Sequence, residues 1–456
     1  MTFKVFIHRL IFIVLSLIAL IVYILHPNDY VYSYNLYCML QFIGSFIIFL
    51  ILKKKKNYFD FDILFLITCF FAFFAYPVLI FPIDPYYFFA FNIKFDHTVI
   101  SQGTALALLG LEIYMTGSIF YNAPNTKPNV NIGFYPLKAY TFSTDLLLIF
   151  FIILGGYTNF YNAYKGIESA ESGLFAYIHV MLITFLIVSI CMQYSNLLYI
   201  DRYKLSSKYI YKPFLFLIFA YVIIVLSTGS RTVPLQIVLA MVGLYTLIFK
   251  PMSLKLTLIL IGIGVFSLAS ISYMRTDGGK IGNIYDAFID IIIVNRNTFA
   301  AIEYVNNNGY TYGTSMLSYL LQPIPFGQSI IFNIFNLDPN YMASSKLLTT
   351  EALGYDRSIG LGTNIIADIY LSFGVIGIII FMFFGGWFVS KAKYLAKYKM
   401  NYMVIYAVLI ANSVFLVRAE FFYCLQEIIW ALIVFYFTKP LYLKKYKSMN
   451  YRKLQN

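Results

Sequence analysis

Apolar residues along this chain gather into long runs, and the polar residues fall mostly between those runs. A run of about 20 apolar residues, coiled into a helix, is long enough to cross the hydrocarbon core of a bilayer. On that measure the pattern predicts helices near 7–25, 31–52, 60–83, 98–120, 139–157 and 174–198. Six more are predicted near 213–228, 232–249, 256–274, 361–388, 401–417 and 420–438. The stretch 213–249 is too long for one crossing, and Ser227-Thr228-Gly229-Ser230-Arg231 inside it supplies a short hairpin. The expected fold class is all-α: a polytopic membrane protein of about twelve transmembrane helices, with residues 1–456 in a single membrane-embedded domain. No small-residue cleavage pattern follows the first run, so it is expected to be a retained helix.

One interval breaks the pattern. Residues 275–360 form a loop between the ninth and tenth runs, far longer than the other loops. Loops of that length usually carry function or structure of their own. Ile284, Phe288, Ile291, Ile292 and Phe299 fall close to one face of a helix, while Pro323, Pro325 and Pro339 divide the segment. Short amphipathic helices lying over the membrane surface are expected.

Charge gives the segments a side. Cytoplasmic loops of membrane proteins are enriched in Lys and Arg. With the N-terminus inside, 24 of the 33 basic residues fall in cytoplasmic segments, including Lys53 to Lys56 and the run from Lys439 to Lys453. Reversing the chain reverses that ratio. Both termini are therefore predicted to be cytoplasmic, and 275–360 external.

Composition agrees. The chain is 61% hydrophobic and 12% charged, where soluble proteins carry roughly 25% charged residues. A net charge of +13 would suggest a nucleic-acid partner in a soluble protein. Its placement here makes it a topology signal that also attracts anionic lipid headgroups, and a nucleic-acid partner is excluded. Cys38, Cys69, Cys191 and Cys424 lie in apolar runs without metal-ligand or disulfide spacing, and the four histidines are scattered. There is no Gly-rich phosphate loop ending in Lys-Ser or Lys-Thr. No metal and no cofactor is expected.

The basic residues on the predicted outside differ in kind. Lysine dominates the inside, yet Arg231, Arg275, Arg296, Arg357 and Arg418 make up five of the nine basic residues outside. Codon bias cannot act differently on two faces of one membrane. Arginine is always charged and grips two phosphate oxygens at once. For any one of the five, anchoring a helix end is the more economical account. The set together points to an anion at the outer leaflet. Acidic residues within the apolar runs, Glu112, Asp145, Asp368 and Glu427, are costly there and suggest function or a buried pair. Glu420 stands two residues after Arg418 at the outer boundary. It is equally well read as a base toward a sugar hydroxyl or as the ion-pair partner of Arg418.

Three stretches resemble the O-antigen and capsule repeat-unit polymerases. The first is Ser227-Thr228-Gly229-Ser230-Arg231-Thr232. The second is Gly360-Leu361-Gly362-Thr363-Asn364, followed by Asp368-Ile369-Tyr370-Leu371-Ser372-Phe373-Gly374. The third is Arg418-Ala419-Glu420-Phe421-Phe422. The layout, with one long external loop before the tenth span, is similar as well. The resemblance implies a glycosyltransferase of the inner membrane. It would move a glycan chain from undecaprenyl diphosphate to the non-reducing end of a new lipid-linked repeat unit. It further implies that Arg231, Arg275, Arg357, Arg418, Asn364 and Tyr370 bind diphosphate or sugar. Asp368 or Glu420 would act as the base or orient an arginine. Many relatives carry Glu where Asp368 stands, which favours a structural role for Asp368. A chain-length regulator is a candidate partner. An O-antigen ligase is the alternative within the same class, but residues 275–360 contain no histidine. A lipid-linked oligosaccharide flippase would have only short loops.

Overall fold

The computed structural model describes residues 3–93, 96–124, 128, 133, 135, 137–165, 173–200, 210–227, 230–275, 288–355 and 359–437. Among these residues every regular element is a helix. Each of the twelve predicted runs holds one: α1 (Phe3–Ile24), α2 (Tyr32–Leu52), α3 (Phe61–Phe73), α4 (Ile100–Phe120), α5 (Leu137–Ile153), and, after the short α6 (Gly156–Lys165), α7 (Gly173–Ile200), α8 (Lys212–Ser227), α9 (Thr232–Ile248) and α10 (Leu254–Arg275). The long loop contributes α11 (Ile289–Ile292), α12 (Asn295–Asn308), α13 (Leu317–Leu321), α14 (Gly327–Phe335) and α15 (Ser344–Leu353). Then come α16 (Ile365–Leu395), α17 (Met400–Ala411) and α18 (Leu425–Phe437). Five of these regions, Val5–Ile24, Tyr32–Leu52, His97–Phe120, Tyr177–Leu198 and Ile365–Leu395, are long and apolar enough to cross a membrane.

Several boundaries move from where the pattern put them. The run 60–83 is not one helix: α3 ends at Phe73, and Tyr76–Ile80 forms a π-turn with Pro77 as its second residue. A proline lacks the N–H that would continue the α ladder. The predicted start at 361 moves to Ile365, because Gly362 holds a left-handed φ of 70° in the connection. The last two runs are shorter than predicted, with Phe415–Arg418 in a 3-10 turn between them. In the loop, the periodicity from Phe288 to Phe299 crosses a turn at Ile293–Val294, and Ile284 lies outside the described residues. Pro323 and Pro325 fall between α13 and α14, and Pro339 between α14 and α15.

The chain forms two compact units. The first comprises Met1–Ala123, Leu254–Lys391 and Ser413–Leu425; the second Pro124–Ser253, Ala392–Asn412 and Gln426–Asn456. In the first, α4 is the central helix and packs against α1 and α2. It meets α16 backbone to backbone. A Cβ on Gly117 would lie 1.9 Å from the carbonyl oxygen of Phe383, and one on Gly386 2.0 Å from that of Tyr114. Small residues permit such close crossings in membranes. One end of this unit is a buried charge network. Asp60 caps α3 through Ile63 N at 3.1 Å, and Lys55 Nζ donates to both Asp60 and Asp62 at 2.7 Å. Tyr114 donates to Asp62, and Lys53 to Ser118 and Ser390. In the second unit α7 packs against α5, and α9 against α17.

Candidate functional site

Asp368 and Ser390 are 22 residues apart along α16, a rise of about 33 Å, so Asp368 stands at the far end from the lysine network. Asn364 starts the helix there. Its Oδ1 accepts from Ala367 N at 2.8 Å, and its carbonyl from Asp368 N at 2.9 Å, the geometry of an N-cap. Asn364 Nδ2 donates to Val294 O at 2.7 Å and to Thr298 Oγ1 at 3.0 Å, which ties α16 to α12. Asn297 Nδ2 holds Leu361 O at 2.9 Å, and Leu361 N reaches Thr349 Oγ1 at 3.1 Å. The Gly-Leu-Gly-Thr-Asn connection is thereby pinned by helices from the long loop.

Within α16 the path breaks at Gly374, where φ is 60° and ψ −151°. Only glycine adopts that region readily. A Cβ there would also lie 2.7 Å from the Tyr310 ring. Leu371 O accepts from Thr311 N at 3.0 Å, and Ser372 Oγ meets Ser315 Oγ at 2.9 Å. Loop residues thus satisfy groups beside the break.

Asp368 projects from the segment before this break. It is fully buried, and its Oδ2 accepts from Phe421 N at 2.9 Å. Glu420, the residue before Phe421, is also buried, and its Oε1 faces Ser345 N at 3.4 Å. Burial pushes the Glu420 carboxyl above the ordinary range, opposed by hydrogen bonds from Ser345 and Tyr319. Tyr319 is held high by burial first, then by the charge and hydrogen bond of Glu420, with Tyr423 and Asp368 adding to it. Two carboxyl groups and a phenol therefore share one enclosure, built from α13, α15, α16 and the turn before α18. Like charges in so dry a place cannot both be held cheaply, so such a pair favours exchange of a proton.

Arg418 behaves differently from its neighbour Glu420. Its side chain is exposed, and it makes no hydrogen bond or ion pair among the described residues. The ion pair that their spacing allows does not form. Arg231 stands half-buried at the N-terminus of α9, in the second unit. Arg275 ends α10, with its side chain outside the described residues, and Arg357 lies outside them altogether. Tyr370 is buried on another side of α16 from Asp368, two residues on, with its ring 6.2 Å from that of Tyr310.

Arg296, which the resemblance leaves out of the binding set, is the largest fully buried side chain of the described residues. It sits among buried Asn295, Asn297 and Thr298. Burial pulls its guanidinium down to about 10, with the charge of Glu303 opposing, so it stays charged near neutral pH. The remaining acids lie elsewhere: Glu112 is buried within α4, Asp145 is on α5, and Glu427 accepts from Asn412 Nδ2 at 2.7 Å in the second unit. No cluster of three or more metal-ligating side chains occurs among the described residues.

One family model, described as O-antigen polysaccharide polymerase Wzy, matches residues 6–447. No curated protein and no solved structure matches the chain.

Proposed function

The chain belongs to the O-antigen polysaccharide polymerase family, matched over nearly its whole length, and from that membership we propose that it extends a polyprenyl-diphosphate-linked glycan at the outer face of the inner membrane. The donor is the growing chain on undecaprenyl diphosphate, and the acceptor is the non-reducing end of a new lipid-linked repeat unit. An acceptor hydroxyl oxygen forms a bond to the anomeric carbon of the donor's terminal sugar. The bond from that carbon to the diphosphate oxygen breaks, and the electron pair leaves with undecaprenyl diphosphate. The hydroxyl proton passes to a carboxylate.

The observation that carries this reading is the enclosed pair Asp368 and Glu420, beside the exposed Arg418. Glu420 is the group we assign as base. Asp368 accepts from Phe421 N and so holds the turn that carries Glu420. The developing charge on the diphosphate needs fixed positive partners, which stabilise it best when they are placed beforehand. Arg418 is free to serve in this way. Arg231 and the positive end of α9 together favour an anion. Arg275 and Arg357 complete the proposed set. Asn364 and Tyr370, whose side chains are buried, support sugar binding by shaping the Asp368 end of α16.

The test is the glycan profile of a deletion strain. We expect surface glycan carrying a single repeat unit, with lipid-linked units still reaching the outer face. Units trapped on the inner face would point instead to transport across the membrane, and the polymerase reading would fail. Reintroducing Glu420→Gln should restore protein but not long chains.

A further inference from the structure

The long loop contains an uncharged interval. From Tyr304 to Leu337 there is no Asp, Glu, Lys or Arg. A loop standing in water normally carries charge, since roughly a quarter of soluble-protein residues are charged. Within this interval Leu320, Ile324, Phe326, Ile330, Ile334 and Phe335 are between 41% and 66% exposed. Phe326, Ile330 and Ile334 are spaced four apart, so they share one stripe of α14 and the residue that opens it. Ser329 and Asn333 flank the stripe on one side, also exposed. Both ends of α14 are held in left-handed backbone by residues other than glycine, Phe326 at φ 59° and Asn336 at φ 52°. The strained position thus projects a phenyl ring outward, where water would be its least favourable surroundings.

Two further observations indicate what covers this face. The same interval is joined to the apolar outer stripe of α16. Thr311 bonds Leu371 O, and Gly313 lies against Phe373, just before the exposed Ile376, Ile380 and Phe384. A stripe of that kind on a helix long enough to span a bilayer faces lipid, so the loop's apolar face continues a lipid-facing surface. The second observation is the form of the segment: a short helix, apolar on its exposed stripe with small polar flanks, as in helices that lie in the plane of a membrane.

We propose that Leu320, Ile324, Phe326, Ile330, Ile334 and Phe335 lie in the hydrocarbon of the outer leaflet, as an in-plane anchor for the long loop. The outer side rests on the orientation given under the proposed function; the contact with lipid does not. The anchor connects directly to the carboxyl enclosure. Gln328 Nε2 of α14 holds Ser318 O of α13 at 2.8 Å, and Ser318 N holds Met342 O at 2.8 Å. On α13, Leu320 points outward while its neighbour Tyr319 reaches Glu420. Seating Leu320 in lipid therefore fixes the height of Glu420 relative to the headgroup plane, where a lipid-linked diphosphate lies.

The experiment uses the full chain in vesicles of phosphatidylethanolamine and phosphatidylglycerol. Ile330→Cys, Ile334→Cys, Ser329→Cys and Asn333→Cys are made singly and labelled with a nitroxide; the native cysteines are all buried. At 330 and 334, collisions with dissolved oxygen should exceed those with a water-soluble nickel chelate, and the preference should weaken at 329 and 333. Nickel collisions equal to or above oxygen at 330 and 334 would place the face in water and overturn the proposal. Labels shielded from both reagents, as under a second copy or another protein, would overturn it too. A membrane-impermeant maleimide is then applied to the Ser329→Cys chain in spheroplasts. Labelling of intact spheroplasts supports the outer leaflet. Labelling only after lysis would overturn that side, and the orientation with it, while leaving the lipid contact standing.

Discussion

The main-chain N–H of Phe421 donates to Asp368 Oδ2 at 2.9 Å, joining residues 53 positions apart. The Asp368 carboxyl is fully buried and the bond itself is partly shielded from water, so the turn that carries Phe421 leans on this acceptor. Asp368→Asn keeps an oxygen acceptor in the same place, and the thermal unfolding midpoint in detergent should move little. Asp368→Ala leaves the Phe421 N–H unpaired, at a cost of about 1–3 kcal/mol. If Asp368 acts only by holding the turn, Asp368→Asn retains long chains and Asp368→Ala shortens them. Loss of all long chains in a well-folded Asp368→Asn protein would make the charge itself necessary.

The break at Gly374 is expected to tolerate no side chain. Gly374→Ala should destabilise by about 1–3 kcal/mol from backbone strain alone, and further from contact with Tyr310, 2.7 Å from the new Cβ. Removing the ring in Gly374→Ala/Tyr310→Ala relieves the contact but not the strain. The double variant should therefore recover only part of the loss in thermal unfolding. Full recovery would show that Gly374 is there for space and not for its backbone angles.

The Lys55 network should behave as a buried ion pair. Burial alone would push the Lys55 ammonium down, but the charges and hydrogen bonds of Asp60 and Asp62 outweigh it and hold it high. Lys55→Met takes from the buried Asp60 and Asp62 the lysine that pairs with both, and is expected to cost about 3–5 kcal/mol. Lys55→Met combined with Asp60→Asn and Asp62→Asn, which keep the acceptors for Ile63 N and Tyr114, should cost much less. Comparing the unfolding midpoints of the two proteins checks this.

These three cases mark where the sequence was legible. The apolar runs located the helices because membrane helices need long apolar stretches whatever they pack against. The motif around Asp368 was visible as a local pattern. Its break was not, since a glycine in an apolar run reads as a tolerated small residue. The angles of Gly374 are set with Tyr310 and Thr311, more than 60 positions earlier. Lys53 and Lys55 read correctly as basic residues at a helix end, but their spacing gave no sign that they would be drawn inward. Glu420 turns to Ser345, 75 residues before it, and leaves the nearby Arg418 unpaired. The burial of Arg296 was hidden for a related reason: whether an arginine is buried depends on the packing of the whole loop.

Glu420 should make stability depend on pH. Burial raises its carboxyl above the ordinary value of 4.5. The folded chain therefore keeps this proton at pH values where the unfolded chain has lost it. Stability from this group is complete below the unfolded value and falls as pH rises through the folded one. The unfolding midpoint of Glu420→Gln should decline less than that of the native protein as pH rises above 4.5. Parallel curves would mean that the carboxyl is not held high.

Arg418 gives the sharpest separation of function from stability. Its side chain is exposed and has no ion-pair partner among the described residues, so nothing in the fold depends on its charge. Arg418→Ala should change stability by no more than about 0.5 kcal/mol, as for other surface positions. If the arginine grips a diphosphate, the same substitution should abolish long glycan chains at normal expression. Arg418→Lys should restore them only in part, since lysine keeps the charge but cannot offer two parallel donors. The check is a glycan length profile beside an unfolding curve for each variant. Near-normal chain length in Arg418→Ala would remove Arg418 from the site and leave the positive charge to the other arginines. A large loss of stability would instead mean that Arg418 serves the fold.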